Sequence, residues 1–185
     1  MSDDLSFSLD DSNLNFENSP TRIVIFKNLQ KVKVAGITIG PLKEKEEYET
    51  AYWIAAELVR EGIARFHNES TMNLVTLNKI HWVETKIQTG RQIASLPKYF
   101  YPQVRKYIKN LKEKSKVNTS VVNEYNNVKR IFRDIVNCRL KKIVSLSASP
   151  TRTEILKSLS KEEIALFEYL RSSIFKWKST ILKVE

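Results

Sequence analysis

The stretch Ser120–Leu146, SVVNEYNNVKRIFRDIVNCRLKKIVSL, decides how the rest of the chain is read. Val121, Tyr125, Val128, Phe132, Ile135, Arg139 and Ile143 recur at alternating steps of three and four, which puts them on one stripe of a helix. Such a stripe normally packs into a core. At about 1.5 Å per residue the helix would be roughly 40 Å long. That exceeds what a small domain needs for its own interior, so part of the stripe is expected to pack against another chain.

Working outward, the stretch before it, LPKYFYPQVRKYIKNLKEKSKV (Leu96–Val117), crowds aromatics and two prolines into its front half and then turns basic. Tyr101-Pro102 reads as a helix entrance, because proline is at home in a first helical turn. Val104, Ile108 and Leu111 then form an apolar face with Tyr107 beside it, and Lys106, Lys109 and Lys112 point elsewhere. Tyr99, Phe100, Tyr101 and Tyr107 are expected to pack rather than to stack on bases. On the other side, SKEE places Glu163 three residues after Ser160, the reciprocal capping box that starts a final helix. That helix offers a matching face through Ile164, Phe167, Leu170 or Ile174, and Trp177.

Helices also precede these. Tyr52, Trp53, Ala56 and Val59 or Arg60 are spaced three or four apart until Gly62 ends the run, and a second helix is expected from an Asn68 cap to about Gln88. Residues 21–42 have a different texture. They are rich in Ile and Val, Lys31 and Lys33 alternate with Val32 and Val34 at the spacing of a half-exposed strand, and Asn28, Gly36 and Gly40-Pro41 mark turns. The fold class is therefore α+β. An acidic flexible tail (1–20) leads into a small β-rich domain (21–42), a polar linker (43–50) and an α-helical bundle domain (51–185). The tail reads either as a solubilising extension or as an acidic-hydrophobic segment that folds onto a partner.

With 185 residues and 42% hydrophobic content, the chain holds one sizeable core, or a core with a small satellite. Cys138 is the only cysteine, which excludes an intrachain disulfide and a thiolate zinc cage made by this chain alone. No apolar run approaches the roughly 20 residues that span a bilayer, and the acidic N-terminus is unlike a signal peptide, so a soluble, unsecreted protein is expected. His67 and His81 are too far apart for a helical metal pair, and GITIGPLK has Pro41 where a phosphate loop needs Gly-Lys-Ser/Thr. Nothing points to an enzyme, a metal or a cofactor.

Charge carries more content. Between Lys98 and Lys142 there are thirteen Lys or Arg against Glu113, Glu124 and Asp134, a surplus equal to the net charge of the whole chain, +10. Such a region is either a set of solvated helix faces or the footprint of nucleic-acid association, with Lys106, Lys109, Lys112, Lys129, Arg130 and Arg133 as candidates for DNA contact. Arg139, a cation on an apolar stripe, needs a carboxylate or helix-end carbonyls, within its own chain or across a subunit interface.

Three runs resemble one family. VAGITIGPLKEKEEYETAYWIAAEL (Val34–Leu58) is similar to the junction in those GINS replication subunits whose small β domain precedes the helical domain, through Gly36, Gly40, Pro41 and Trp53. LPKYFYPQVRKYI is similar to that family's Pro-Tyr-Tyr helix entrance, and RDIVNCRLKKIV to its Asp-x-x-x-x-Arg-x-x-Lys-Ile helix, through Asp134, Arg139, Lys142 and Ile143. The resemblance spans roughly Thr21 to Ser147 and points to the archaeal form, Psf-two/Psf-three-like. It implies a scaffold without catalysis that pairs with a second GINS subunit of reversed domain order, in a heterotetramer containing two of each. It further implies links to the MCM helicase, to a RecJ-like helicase partner and to primase, in the nucleoid of a cell without membrane attachment. In that setting Val121, Tyr125, Val128, Phe132, Ile135, Arg139 and Ile143, with Phe167, Leu170 and Trp177, become subunit-interface candidates.

Overall fold

A computed structural model describes residues 3–34, 36–67, 72–86, 92–150 and 153–183, with the side chains of 3–9, 32–34 and 153 outside the description. The architecture is α+β, and the chain divides into two compact units, residues 13–71 and residues 72–185 with 1–12.

The first unit is built on β1 (Pro20–Ile25), whose alternation buries Thr21, Ile23 and Ile25 on one face. It pairs antiparallel on one side with β4 (Glu47–Ala51), in the register Arg22↔Glu49, and on the other with β5 (Ala64–Phe66), in the register Ile23↔Phe66. Between them β2 (Val32–Val34) and β3 (Ile37–Ile39) form a separate hairpin, and Leu29 bridges to Leu42. Gly40 adopts φ +94°, and a Cβ there would come within 3.0 Å of the Gln30 carbonyl oxygen, so this turn needs glycine. α2 (Tyr52–Arg60) lays Ile54, Ala55 and Leu58 on the sheet, and with Ile23, Ile25, Ile39, Leu42 and Ala64 they make a wholly apolar core.

Several boundaries differ from the sequence reading. Residues 43–50 are not a free linker, because β4 occupies their second half. Its charges concealed it: Glu47 and Glu49 are exposed on an edge strand, where charged side chains are common, and Arg22 meets Glu49 across the pair at 3.4 Å. α2 belongs to the β unit rather than to the bundle, and it buries Tyr52, Ile54, Ala55 and Leu58 instead of the stripe expected through Trp53, Ala56 and Val59. The residues expected as a flexible tail form α1 (Asp3–Glu17), whose Phe16 packs on Tyr52 with ring centroids 4.2 Å apart. Burial, and then Glu17, raise the Tyr52 hydroxyl pKa to about 12.

The second unit is the helical bundle. α3 (Leu74–Lys86) is capped by Asn73, whose side-chain oxygen accepts from the Thr76 amide at 2.9 Å; the expected Asn68 cap lies outside the described residues. α4 (Phe100–Ser115) has Pro102 in its first turn and is preceded by Tyr99 in the left-handed region, φ 57°. α5 (Ser120–Ala148) is the long helix, and the four-residue α6 (Thr153–Leu156) follows it. α7 (Lys161–Ile181) starts at the full capping box, with the Ser160 amide donating to the Glu163 carboxylate at 2.9 Å and the Glu163 amide to the Ser160 hydroxyl at 3.3 Å.

Two apolar clusters fill the bundle. Leu77, Phe100, Val104, Leu111, Val128, Ile131 and Ile135 join α3, α4 and the first half of α5, while Ile93, Ile143, Leu146, Leu159 and Phe167 join the second half of α5 to α7. The front aromatics of α4 pack, as expected. Phe100 is buried, stands edge-on to Tyr101 at 5.3 Å and lies 6.1 Å from Phe132.

Candidate interaction surface and the charge network behind it

Between the two apolar clusters lies a set of buried charges. Arg139, 1% exposed, donates to Glu163 through Nε, and through Nη2 at 2.7 Å, a two-pronged contact that only a guanidinium makes. Its Nη1 donates to Glu84 at 2.9 Å and to the Ala94 carbonyl at 2.8 Å. Lys142 takes the other oxygen of Glu84 at 2.6 Å and the Glu84 backbone carbonyl at 3.0 Å. Tyr101 closes the set by donating to Glu163 at 2.5 Å.

Every member of this network is satisfied, and no described buried side-chain nitrogen or oxygen lacks a partner. Burial alone would lower the Arg139 pKa, but the hydrogen bonds and charge of Glu163, and then Glu84, outweigh it and raise the value. Tyr101 is pushed far above an ordinary phenol, first by burial and then by Glu163. The network ties α3, α4, α5 and α7 together and offers no open position to a reacting molecule. Its contribution is registry, because one missing partner would strand a buried charge at a cost of about 3–5 kcal/mol.

These placements redistribute the interface candidates. Val128, Ile135, Arg139, Ile143 and Phe167 are buried within the chain's own bundle and cannot meet a partner in this conformation. Val121, Tyr125, Phe132 and Leu170 are half-buried against the same cores. Trp177 alone of the set stands out in solvent, at 64% exposure. A long helix does not need a second chain to cover its stripe here, because α3, α4 and α7 share that work along its length.

The uncovered surface lies elsewhere on α7. From Arg171 to Lys183 every residue except Ile174 is exposed, yet the segment carries Phe175, Trp177, Ile181 and Leu182. Ile174, Trp177 and Ile181 follow helical spacing along one side, and Phe175 and Leu182 are two turns apart beside them. Phe175 and Ile174 also line a groove between α7 and the end of α5, with Ala148 and Pro150 on its far wall and Lys178 reaching the Ala148 carbonyl at 3.4 Å. Leu140 and Val144 add exposed apolar surface one turn apart on α5. A soluble monomer rarely leaves so many large apolar side chains uncovered on one helix. The spacing singled out Trp177 as an interface candidate but not Phe175, Ile181 and Leu182, which continue the exposed apolar run beyond the last core contact.

Of the basic candidates, Lys109, Lys112, Lys129, Arg130 and Arg133 are exposed and Lys106 is half-exposed. Arg130 is engaged with Asp134 at 3.3 Å and with Asn127 at 2.9 Å. His67 and His81 sit 3.8 Å from Glu47 and Asp134 respectively, Cys138 donates to the Glu84 carbonyl at 3.5 Å, and among the described residues no cluster could hold a metal ion. No described helix is long and apolar enough to cross a membrane.

A helical bundle registered by buried charge, preceded by a small β unit and leaving an apolar helix uncovered, defines a class of assembly subunit. The family model described as the GINS complex protein helical bundle domain (Sld5) matches residues 71–182, more than half of the chain and nearly the whole second unit. The chain belongs to this family, which comprises non-catalytic subunits of a DNA-replication complex. No curated protein matches the chain.

Proposed function

We propose that this chain is a scaffold subunit of a GINS complex of the archaeal, Psf-two/Psf-three-like type, in which the small β domain precedes the helical domain. It assembles with a second GINS subunit of reversed domain order, in a heterotetramer containing two of each, through the uncovered side of α7. The assembled complex bridges the MCM helicase and a RecJ-like helicase partner, with a further link to primase, in the nucleoid of an archaeal cell. The β unit contributes the contact with the helicase or with a neighbouring subunit.

The observation that carries this reading is the run of exposed apolar side chains Phe175, Trp177, Ile181 and Leu182 on a helix whose first half is well packed. Aromatic side chains with this exposure are enriched at the centres of subunit interfaces. Family membership supports the assembly with other GINS subunits.

Purification of the tagged chain from nuclease-treated extract of its source, followed by mass spectrometry and light scattering, tests the proposal. The expected result is a stable tetramer with a second GINS-like subunit, and MCM in weaker yield. A monodisperse monomer that recovers no such subunit would overturn it.

A further inference from the structure

The helix α3 presents two different faces. Leu77 and Glu84 stand seven residues apart on its inner side and are fully buried, Leu77 in the apolar cluster and Glu84 between Arg139 and Lys142. Half a turn round from them, Val75, Lys79, Trp82 and Lys86 recur at steps of four, three and four, and all four are exposed. Trp82 is 58% exposed, Val75 64%, and Val83 beside the indole 39%. The Lys86 ammonium lies over the Trp82 ring, 4.1 Å from its centroid. Glu84 is the one acid of α3, and it is turned inward, so the outward residues of this helix are apolar, aromatic, neutral and polar, or cationic.

Folding of the chain accounts for the inner face and not for the outer one. Lys86 lies in the last turn, where a cation complements the helix dipole, but Lys79 is in the middle of the helix. Tryptophan is a modest helix former, so an indole held in solvent gives α3 nothing that alanine or glutamine would not exceed, apart from its contact with Lys86. Single apolar side chains scattered over a surface are ordinary. Here an indole and two valines lie together, with lysines three residues before and four residues after Trp82. At about 1.5 Å per residue, Lys79 and Lys86 are roughly 10 Å apart along the axis, one on each side of the indole. An apolar anchor bracketed by two cations is complementary to an apolar side chain bracketed by two carboxylates at the same interval, and residues seven apart on a second helix have that interval.

We propose that the outer face of α3, through Val75, Lys79, Trp82, Val83 and Lys86, docks an acidic amphipathic helix of a partner protein. The partner's apolar residues pack on Trp82 and the valines, and two of its carboxylates, seven residues apart, meet Lys79 and Lys86. Tryptophan is among the residue types most enriched at binding hot spots. The two valines favour protein over a nucleic-acid strand, because they extend the apolar contact beyond one stacked ring and offer nothing to a phosphate. This surface lies on a different helix from the exposed end of α7 and does not depend on the assembly reading.

Fluorescence anisotropy of the full chain with a labelled synthetic peptide tests this directly. The probe is a helix-forming peptide of roughly 20 residues, with two glutamates seven residues apart and leucines three and four residues after the first. A control peptide of the same composition separates the glutamates by five residues, which puts them on opposite sides of the helix. The probe should bind, the control should bind at least about tenfold more weakly, and tryptophan emission should shift to the blue on binding in the native chain but not in Trp82→Phe. Trp82→Ala should weaken binding by more than about tenfold. Lys79→Glu with Lys86→Glu should do the same, and should admit a peptide carrying lysines in place of the glutamates. These side chains are exposed, so neither change opens the core, and helix content by circular dichroism should be unchanged. Lys31→Glu with Lys43→Glu in the β unit, the same change in net charge, should leave affinity as it is. No binding of the probe, equal binding of the control peptide, full affinity in Trp82→Ala, or preference for a labelled oligonucleotide that the same variants abolish would each overturn the proposal. Binding that Trp177→Asp removes and Trp82→Ala leaves would overturn it too, by placing the contact on α7. Recovery of the second GINS subunit by the α3 variants is scored separately, so failure here is distinguishable from failure of the assembly reading.

Discussion

The two units of this chain solve the problem of a small core in opposite ways. The β unit buries Ile23, Ile25, Ile39, Leu42, Ile54, Leu58 and two alanines, with no charge among them. The bundle places Arg139, Lys142, Glu84 and Glu163 where its two apolar clusters meet. Apolar packing is non-directional and tolerates swaps of similar volume. The charged set is satisfied in one geometry only, so it fixes which faces of α3, α5 and α7 oppose one another. A unit that must present a defined surface to other subunits gains from that registry.

The sharpest way to break this comparison is Glu84→Ala. It leaves Lys142 without its carboxylate and Arg139 with Glu163 as its one remaining carboxylate, so urea titration should show a loss of about 3–5 kcal/mol from the bundle. A loss of under about 1 kcal/mol would mean that water reaches the network and that the contrast between the units is false. Next, Ile25→Ala should cost about 2–5 kcal/mol, and hydrogen exchange should accelerate within residues 13–71 while 72–183 keep their protection.

Alkaline pH sharpens the contrast from a third side. Tyr52 ionises at about 12 in the folded chain, above its ordinary value of 10.0, so the folded state holds the proton longer than the unfolded one. Its contribution is whole below pH 10 and is lost as pH rises from 10 to 12, by at most roughly 2–3 kcal/mol. Absorbance at 295 nm should show Tyr52, Tyr101 and Tyr107 ionising above the ordinary phenol value. Tyr52→Phe should remove one of these late ionisations and leave the other two in place. The smallest effect is Ser160→Ala, which removes one half of the α7 capping box and should cost about 1 kcal/mol, measured by thermal melting.

Local signals in the sequence were reliable where the structure they specify is local. Pro102 at the entrance of α4, the Ser160–Glu163 box of α7 and the three-four periodicity of α5 each depend on contacts within a turn or two, and each stands where it was expected. The units were harder to delimit. β4 exists because β1 pairs with it, and its glutamates suit an edge, so nothing in its own residues announces a strand. α2 looks like any bundle helix until β5 returns the chain to the sheet behind it.

The site divided along the same line. That Arg139 needed a carboxylate followed from its place on an apolar stripe, but its partners Glu84 and Glu163 lie 55 and 24 residues away in the chain. Glu84 did carry a usable signal. It continues the apolar side of α3 seven residues after Leu77, the acidic mirror of Arg139 on α5. At the exposed end of α7, Trp177 was legible as an interface candidate but Phe175, Ile181 and Leu182 were not, since periodicity reports an apolar face and says nothing of whether the chain itself covers it.

The most direct test of the central claim, that this end of α7 is where the subunit joins its complex, is hydrogen exchange along α7 in the free chain and in the purified assembly. The account predicts that amides of residues 172–182 exchange rapidly in the free chain and become strongly protected in the complex, and that Phe175→Asp with Trp177→Asp abolishes assembly while leaving helix content unchanged. Protection confined to residues 13–71, with 172–182 exchanging alike in both states, would contradict it.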